Sequence, residues 1–191
     1  MVLLVRKSIA ASLLISLGVY VLSVIGNPIG PFIFALGLLG VCGMDLNLFT
    51  GKCGFMIENH IPPIDLFIIL VVNLLSGYLF GYLFSLANSD IVQVAIDKVN
   101  TWEFSFAFLI KSFLCGVIMY ICVYLYRKGT KLGILFGIPL FIFAGFQHCI
   151  ANIITLGIAH MFHESLILCI MGNFFGSLFM WSISKAPAEQ K

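Results

Sequence analysis

Charge is what this sequence has least of. Its 191 residues include 10 Lys and Arg and 8 Asp and Glu, 9% of the chain, against a hydrophobic share of 61%. A soluble domain carries about 25% charged residues, and eighteen ionic side chains cannot cover a water-facing surface of this size. That excludes an ordinary cytosolic enzyme and a disordered regulator. The net charge of +2 is too small to hold a polyanion, which excludes a nucleic-acid partner. Catalytic patterns are also missing: no activated nucleophile, no glycine-rich phosphate loop and no paired carboxylates. The six cysteines, Cys42, Cys53, Cys115, Cys122, Cys149 and Cys169, lie inside apolar stretches without metal-ligand spacing and read as small hydrophobes at helix contacts. The expectation is neither an enzyme nor a holder of a metal or cofactor.

What the chain does have is long apolar runs, at about 8–26, 31–57, 64–87, 104–126, 132–159 and 165–184, with a mean hydropathy of +1.13. About 20 apolar residues cross a bilayer as a helix. The sequence is therefore read as an all-α integral membrane protein, one transmembrane domain over 1–191 with six spans. The first run reads as a membrane helix and not a signal peptide, because no small-residue cleavage site ends a short core. Six spans put both termini on one side. With the termini inside, the inner set of cations is Arg6, Lys7, Lys52, Arg127, Lys128, Lys131, Lys185 and Lys191, against Lys98 and Lys111 outside. The positive-inside rule then makes both termini cytoplasmic.

The second and fifth runs are longer than a span needs. Each carries Asn, a few apolar residues, Thr and Gly deep inside: Asn47 to Gly51, and Asn152 to Gly157. Glycine lets backbone leave helical geometry, and such breaks are tolerated at membrane depth only where protein or a wet cavity satisfies them. Asn73 to Gly77 and Gly172 to Gly176 form a second matching pair, in the third and sixth runs. Helices one to three (about 8–87) thus match helices four to six (about 104–184). Because three is odd, the halves run in opposite directions. Inverted repeats with interrupted helices point to a substrate path at their interface.

His148 is an ionisable group well inside the fifth run, where such groups are costly and usually face a cavity or pathway. The alternative is a neutral histidine bonded to a neighbouring helix. His160 and His163 read as interfacial. Asp45 and Lys111 are candidates for an ion pair, and Lys52 follows the second-run break on its cytoplasmic side. Half-helix N-termini aimed at a midplane favour anions.

At Leu48-Phe49-Thr50-Gly51, at Gly145-Phe146-Gln147-His148-Cys149-Ile150-Ala151-Asn152 and at Gly172-Asn173 the chain resembles the formate/nitrite transporter family of formate, nitrite, lactate and hydrosulfide channels. The resemblance runs through all six helices in order. It implies an aquaporin-like fold of inverted repeats, a homopentamer with one pore per protomer, and a bacterial or archaeal cytoplasmic membrane. The family's central pair falls on Thr50 and His148. Its cytoplasmic constriction maps to Phe34, Leu38 and Phe49, with Leu48 beside them; its periplasmic constriction includes Phe141. Its vestibule lysine is best matched by Lys98. Four positions depart from the pattern: Gln147 and Asn47 stand where the family has Glu, Lys52 and Gly116 where it has Asn. The electrostatic lining to follow is therefore Lys98, Lys52, Gln147, Asn47 and Asn152, more positive than the family's.

The resulting expectation is a passive channel for the small monovalent anion of a weak acid, moving with a proton through a central histidine. A bare anion is expensive to desolvate in an apolar slit and its neutral acid is not. A bare-anion channel, a neutral-solute pore and a non-transporting membrane subunit remain the alternatives.

Overall fold

The computed structural model describes residues 1–184; Lys185 and Lys191 of the inner cation set lie outside the described residues. Among the described residues the chain is all-helical: α1 (Val2–Ile25), α2 (Gly30–Gly43), α3 (Phe49–Lys52) continued by a 3-10 turn (Cys53–Phe55), α4 (Pro63–Ala87), α5 (Asp90–Val99), α6 (Phe106–Arg127), α7 (Leu132–Phe143), α8 (Cys149–Ala159) and α9 (Ser165–Ser184). Helices α1, α4, α6 and α9 are each long and apolar enough to cross a membrane, whereas α2, α7 and α8 are apolar but shorter. The second run is α2 plus α3, and the fifth is α7 plus α8.

Local chemistry explains the ends. Pro63 occupies the first turn of α4, where its missing N–H costs nothing, with Asp65 beside the positive helix end. Ser105 caps α6 by accepting the Phe108 N–H at 3.2 Å. Ser8, Ser12 and Ser16 repeat every four residues on the buried face of α1, and each returns its hydroxyl to the carbonyl four residues back. That leaves a flat strip against which α4 packs.

The breaks fall earlier than the glycines and threonines suggest. In the second run the helix stops at Gly43 and restarts at Phe49; in the fifth it stops at Phe143 and restarts at Cys149. Asn152 to Gly157 is regular helix, and the break precedes His148 instead of following it. Each turn is made by one residue in the left-handed region, Asp45 (φ 47°) or Gly145 (φ 68°). Gly157 has another task. A Cβ there would run into the Tyr78 carbonyl of α4, as one on Gly81 would into the Ile154 carbonyl of α8. These two glycines bring α4 and α8 into backbone contact. All eleven residues of α8 are buried, which makes it the centre of the protein.

The same bonds recur at positions that differ by 100. Asn73 accepts the Phe49 N–H at 2.8 Å and donates to the Asn47 carbonyl at 3.1 Å; Asn173 accepts the Cys149 N–H at 2.8 Å and donates to the Gln147 carbonyl at 2.8 Å. Leu46 N–H donates to Val41 O, and Phe146 N–H to Phe141 O, both at 2.9 Å. His60 and His160 are both left-handed. Helices α1 and α6 follow with an offset of 104: Asn73 donates to Ser8 O at 2.9 Å and Asn173 to Ser112 O at 2.8 Å, while Asn47 N–H reaches Lys7 O and Gln147 N–H reaches Lys111 O. Each asparagine thus ties the start of a short helix to a long helix. Unpaired backbone buried in protein has no water to turn to, so these amides make the breaks affordable.

Candidate functional site

His148 is the N-cap of α8. Its Nδ1 accepts the Ala151 N–H at 3.1 Å, and its Nε2 lies 2.8 Å from Thr50 Oγ1, the second residue of α3. A ring nitrogen that accepts a backbone N–H carries no proton. Nε2 therefore holds the hydrogen of the neutral ring and donates it to Thr50. The two interrupted helices meet through this one bond, with Thr50 1% and His148 3% exposed. The Phe141 ring lies 5.9 Å from the imidazole, and Phe34 meets Phe141 edge-on at 6.2 Å.

Two cavities approach this pair. One, of about 300 Å³, is lined by Phe34, Phe141, Gln147, His148, Ala151, Asn152 and Thr155, with Val19, Leu22 and Ser23 of α1 and Val94, Ala95 and Lys98 of α5. The other, of about 280 Å³, is lined by Leu38, Val41, Cys42, Asp45, Leu46, Leu48, Gly51 and Lys52, with Val123, Tyr126 and Arg127 of α6. They share no residue. Phe34 and Leu38 stand one turn apart on α2, about 6 Å along its axis, and each closes a different cavity. The buried Thr50–His148 bond belongs to the packed layer between the two cavities.

The cavities are lined by equivalent positions. Val41, Cys42, Asp45, Leu46, Leu48, Gly51 and Lys52 correspond by the offset of 100 to Phe141, Ile142, Gly145, Phe146, His148, Ala151 and Asn152. Val19, Leu22 and Ser23 correspond by the offset of 104 to Val123, Tyr126 and Arg127. The two cavities thus share equivalent wall positions and differ in the side chains those positions carry.

Their charge differs accordingly. In the histidine cavity the cation is Lys98, carried in by amphipathic α5. The cavity reaches its side chain, yet the surrounding walls desolvate the ammonium and hold it below the ordinary lysine pKa of 10.5. Carboxamides supply the rest: Gln147 Oε1 accepts from Asn152 Nδ2 at 2.9 Å, and Gln147 Nε2 donates to Gly145 O at 3.1 Å. In the opposite cavity Lys52 and Arg127 line the wall. Lys52 Nζ donates to Asp45 Oδ1 at 3.1 Å, and Lys7 Nζ to Asp45 Oδ2 at 3.0 Å. Asp45 thus pairs with these two lysines and not with Lys111, whose carbonyl instead accepts the Gln147 N–H.

Of the residues singled out from the sequence, Phe34, Phe141, His148, Gln147, Asn152 and Lys98 meet at one cavity, and Leu38, Leu48 and Lys52 at the other. Thr50, Phe49 and Asn47 line neither. Phe49 stacks on Phe174 of α9 at 6.4 Å, and Asn47 turns its amide to Leu4 O at 3.4 Å. Sequence reasoning passed over Thr155, Arg127 and Tyr126 as lining residues; of its two readings of Asp45, an ion pair with Lys111 or a place in a vestibule wall, the structure has the cavity wall, with Lys7 and Lys52 as the ion-pair partners. The offset of 104 between α1 and α6 was the signal that would have found Tyr126 and Arg127.

No family model and no curated protein matches the sequence. Among solved structures, an FNT family ion channel aligns over 94% of this chain and 85% of its own, at 20% identity and a TM-score of 0.67. A pentameric formate channel with formate bound aligns over 94% and 92%, at 15% identity and a TM-score of 0.70. This chain has the fold of those channels. At such identities the likeness is one of backbone, and it leaves the lining side chains to be read on their own chemistry.

Proposed function

We propose that the protein is a passive channel for the small monovalent anion of a weak acid, of the formate, nitrite or hydrosulfide class, moved together with a proton. The observation that carries this reading is the Thr50–His148 bond, sealed among Phe34, Phe141, Leu38 and Leu48, with a lysine-bearing cavity on either side. A cation at each mouth draws an anion in; a seal of rings and leucines passes a neutral molecule more cheaply than an ion. Lys98 would hold the anion in the histidine cavity, where partial desolvation raises its affinity for a proton. The neutral acid then crosses beside His148 and ionises again in the cavity of Lys52 and Arg127.

In this reading the two sets of equivalent bonds are inverted three-helix repeats, six membrane passages in all, with the Lys52–Arg127 cavity and both termini on the cytoplasmic side of a bacterial or archaeal inner membrane. A homopentamer with one pore per protomer is proposed as well, on the fold shared with the pentameric formate channel. The deciding experiment loads proteoliposomes with a pH dye and imposes inward gradients of formate, nitrite, hydrosulfide or chloride. Rapid internal acidification with one weak-acid anion, insensitive to voltage and lost in His148→Asn, is expected. A voltage-dependent current without acidification would make this a bare-anion channel. Silence with every anion, and swelling in an uncharged solute, would make it a neutral-solute pore.

A further inference from the structure

Asp45 occupies the place of Gly145, in the same left-handed turn, with φ 47° against 68°. That backbone suits glycine, and a side chain there is uncommon. The second repeat uses the glycine; the first keeps an aspartate and places its carboxylate between Lys7 and Lys52, at 3.0 and 3.1 Å. Lys52 itself stands where the opposite cavity has Asn152, and Arg127 where it has Ser23. The repeat has therefore put two cations and one carboxylate into a cavity whose counterpart holds none of the three at those positions. The Lys52 side chain is only 18% exposed, while that of Asp45 is 76% exposed. The ammonium is sunk in the wall, whereas its carboxylate partner stands open to solvent. Arg127 lies over the Phe55 ring, 3.9 Å from its centroid, with Nη1 3.4 Å from Asn59 Oδ1, so its guanidinium is anchored at the same mouth.

We propose that this cavity is a second anion site, formed by Lys52 and Arg127, and that the Asp45 carboxylate is a built-in competitor which a small carboxylate such as formate displaces from Lys52. The inference rests on the anion-channel reading for its substrate class but not for its test. Release of Asp45 costs one exposed ion-pair contact, because Lys7 keeps the other oxygen. The competition therefore weakens anion binding at this mouth by about two- to fivefold, enough to let an arriving anion leave again.

The test reads binding directly, through the rise in apparent unfolding temperature of the full chain in detergent as formate replaces chloride at constant ionic strength. Asp45→Asn, which keeps a side chain tolerant of the left-handed turn, is expected to lower the half-effective formate concentration about two- to fivefold. Asp45→Gly, which copies Gly145 and relieves the backbone, is expected to do the same. Lys52→Gln is expected to raise that concentration above the unsubstituted protein's, even when combined with Asp45→Asn. Should both Asp45 variants leave the formate midpoint unchanged or raise it, Asp45 only orders Lys52 and the proposal is overturned. Loss of flux in proteoliposomes with this binding pattern intact would refute the channel reading alone.

Discussion

Replacing His148 separates two roles that the structure gives to one ring. Nδ1 caps α8 through the Ala151 N–H, and Nε2 joins Thr50 across the seal. His148→Leu removes both and copies Leu48, the equivalent residue, which starts α3 with no side-chain cap. A lost cap costs about 1 kcal/mol. A buried hydroxyl left without its partner costs about 1–3 kcal/mol, so the leucine variant should lose about 2–4 kcal/mol of stability. His148→Asn keeps an oxygen within reach of the third N–H of the helix, the preferred N-cap arrangement, but is too short to replace the Nε2 contact to Thr50. It should give back most of the cap while having no group that titrates. The comparison is made by apparent unfolding temperature and by acidification of proteoliposomes under a formate gradient. Asparagine should unfold closer to the unsubstituted protein than leucine, and both should lose proton-coupled flux. If asparagine acidifies at the unsubstituted rate, the imidazole moves no proton and the anion takes its proton from water. The cap makes that outcome physically interesting, because a proton can land on Nδ1 only after the Ala151 N–H has been released.

Three further outcomes follow from the same geometry. The walls of the cavity partly desolvate the Lys98 ammonium and lower its pKa from the ordinary lysine value, and an anion is attracted only while that group is charged. Anion uptake should therefore fall as pH rises, on a limb lying below the usual lysine titration; Lys98→Arg should remove the limb and Lys98→Gln should remove the attraction at every pH. Gly157→Ala would press a methyl into the Tyr78 carbonyl and should destabilise by about 1–3 kcal/mol as overpacking does, read as a lower unfolding temperature, while alanine at exposed Gly129 is resisted only by its turn. Asn73→Leu leaves the Phe49 N–H without the acceptor now at 2.8 Å, a cost of about 1–3 kcal/mol. Asn173→Leu should cost the same through Cys149, and unequal losses in unfolding temperature would show that the two halves do not share one mode of support.

The apolar runs and the scarcity of charge were enough to find the apolar helices, four of which among the described residues are long enough to cross a bilayer, because that property depends on summed composition and tolerates local error. The breaks were harder. Threonine followed closely by glycine marked them in the sequence, yet Thr50, Gly51, Thr155 and Gly157 are all helical, and Gly157 is small for the sake of Tyr78 on another helix. A glycine that frees the backbone and a glycine that admits a neighbour look identical in one dimension. The pairing of Asn47 with Asn152 was out of register by five for the same reason: it matched residue types, whereas what recurs in the structure is a set of bonds at an offset of 100. At true equivalence Leu48 faces His148, Thr50 faces Ile150 and Asp45 faces Gly145, so hardly any letters agree across the site. What agrees is Asn73 with Asn173, the two amides that hold the restarted helices, and the serines Ser8 and Ser112 whose carbonyls they bind. Those four residues make the matching bonds that tie the restarted helices to α1 and α6. The lining positions are released from that task, and that freedom lets one cavity acquire a histidine while its twin acquires a lysine, an arginine and an aspartate. The divergence of the two cavities is thus the feature that a fold likeness at 15% or 20% identity cannot transfer, and the chemistry of this protein has to be read from it.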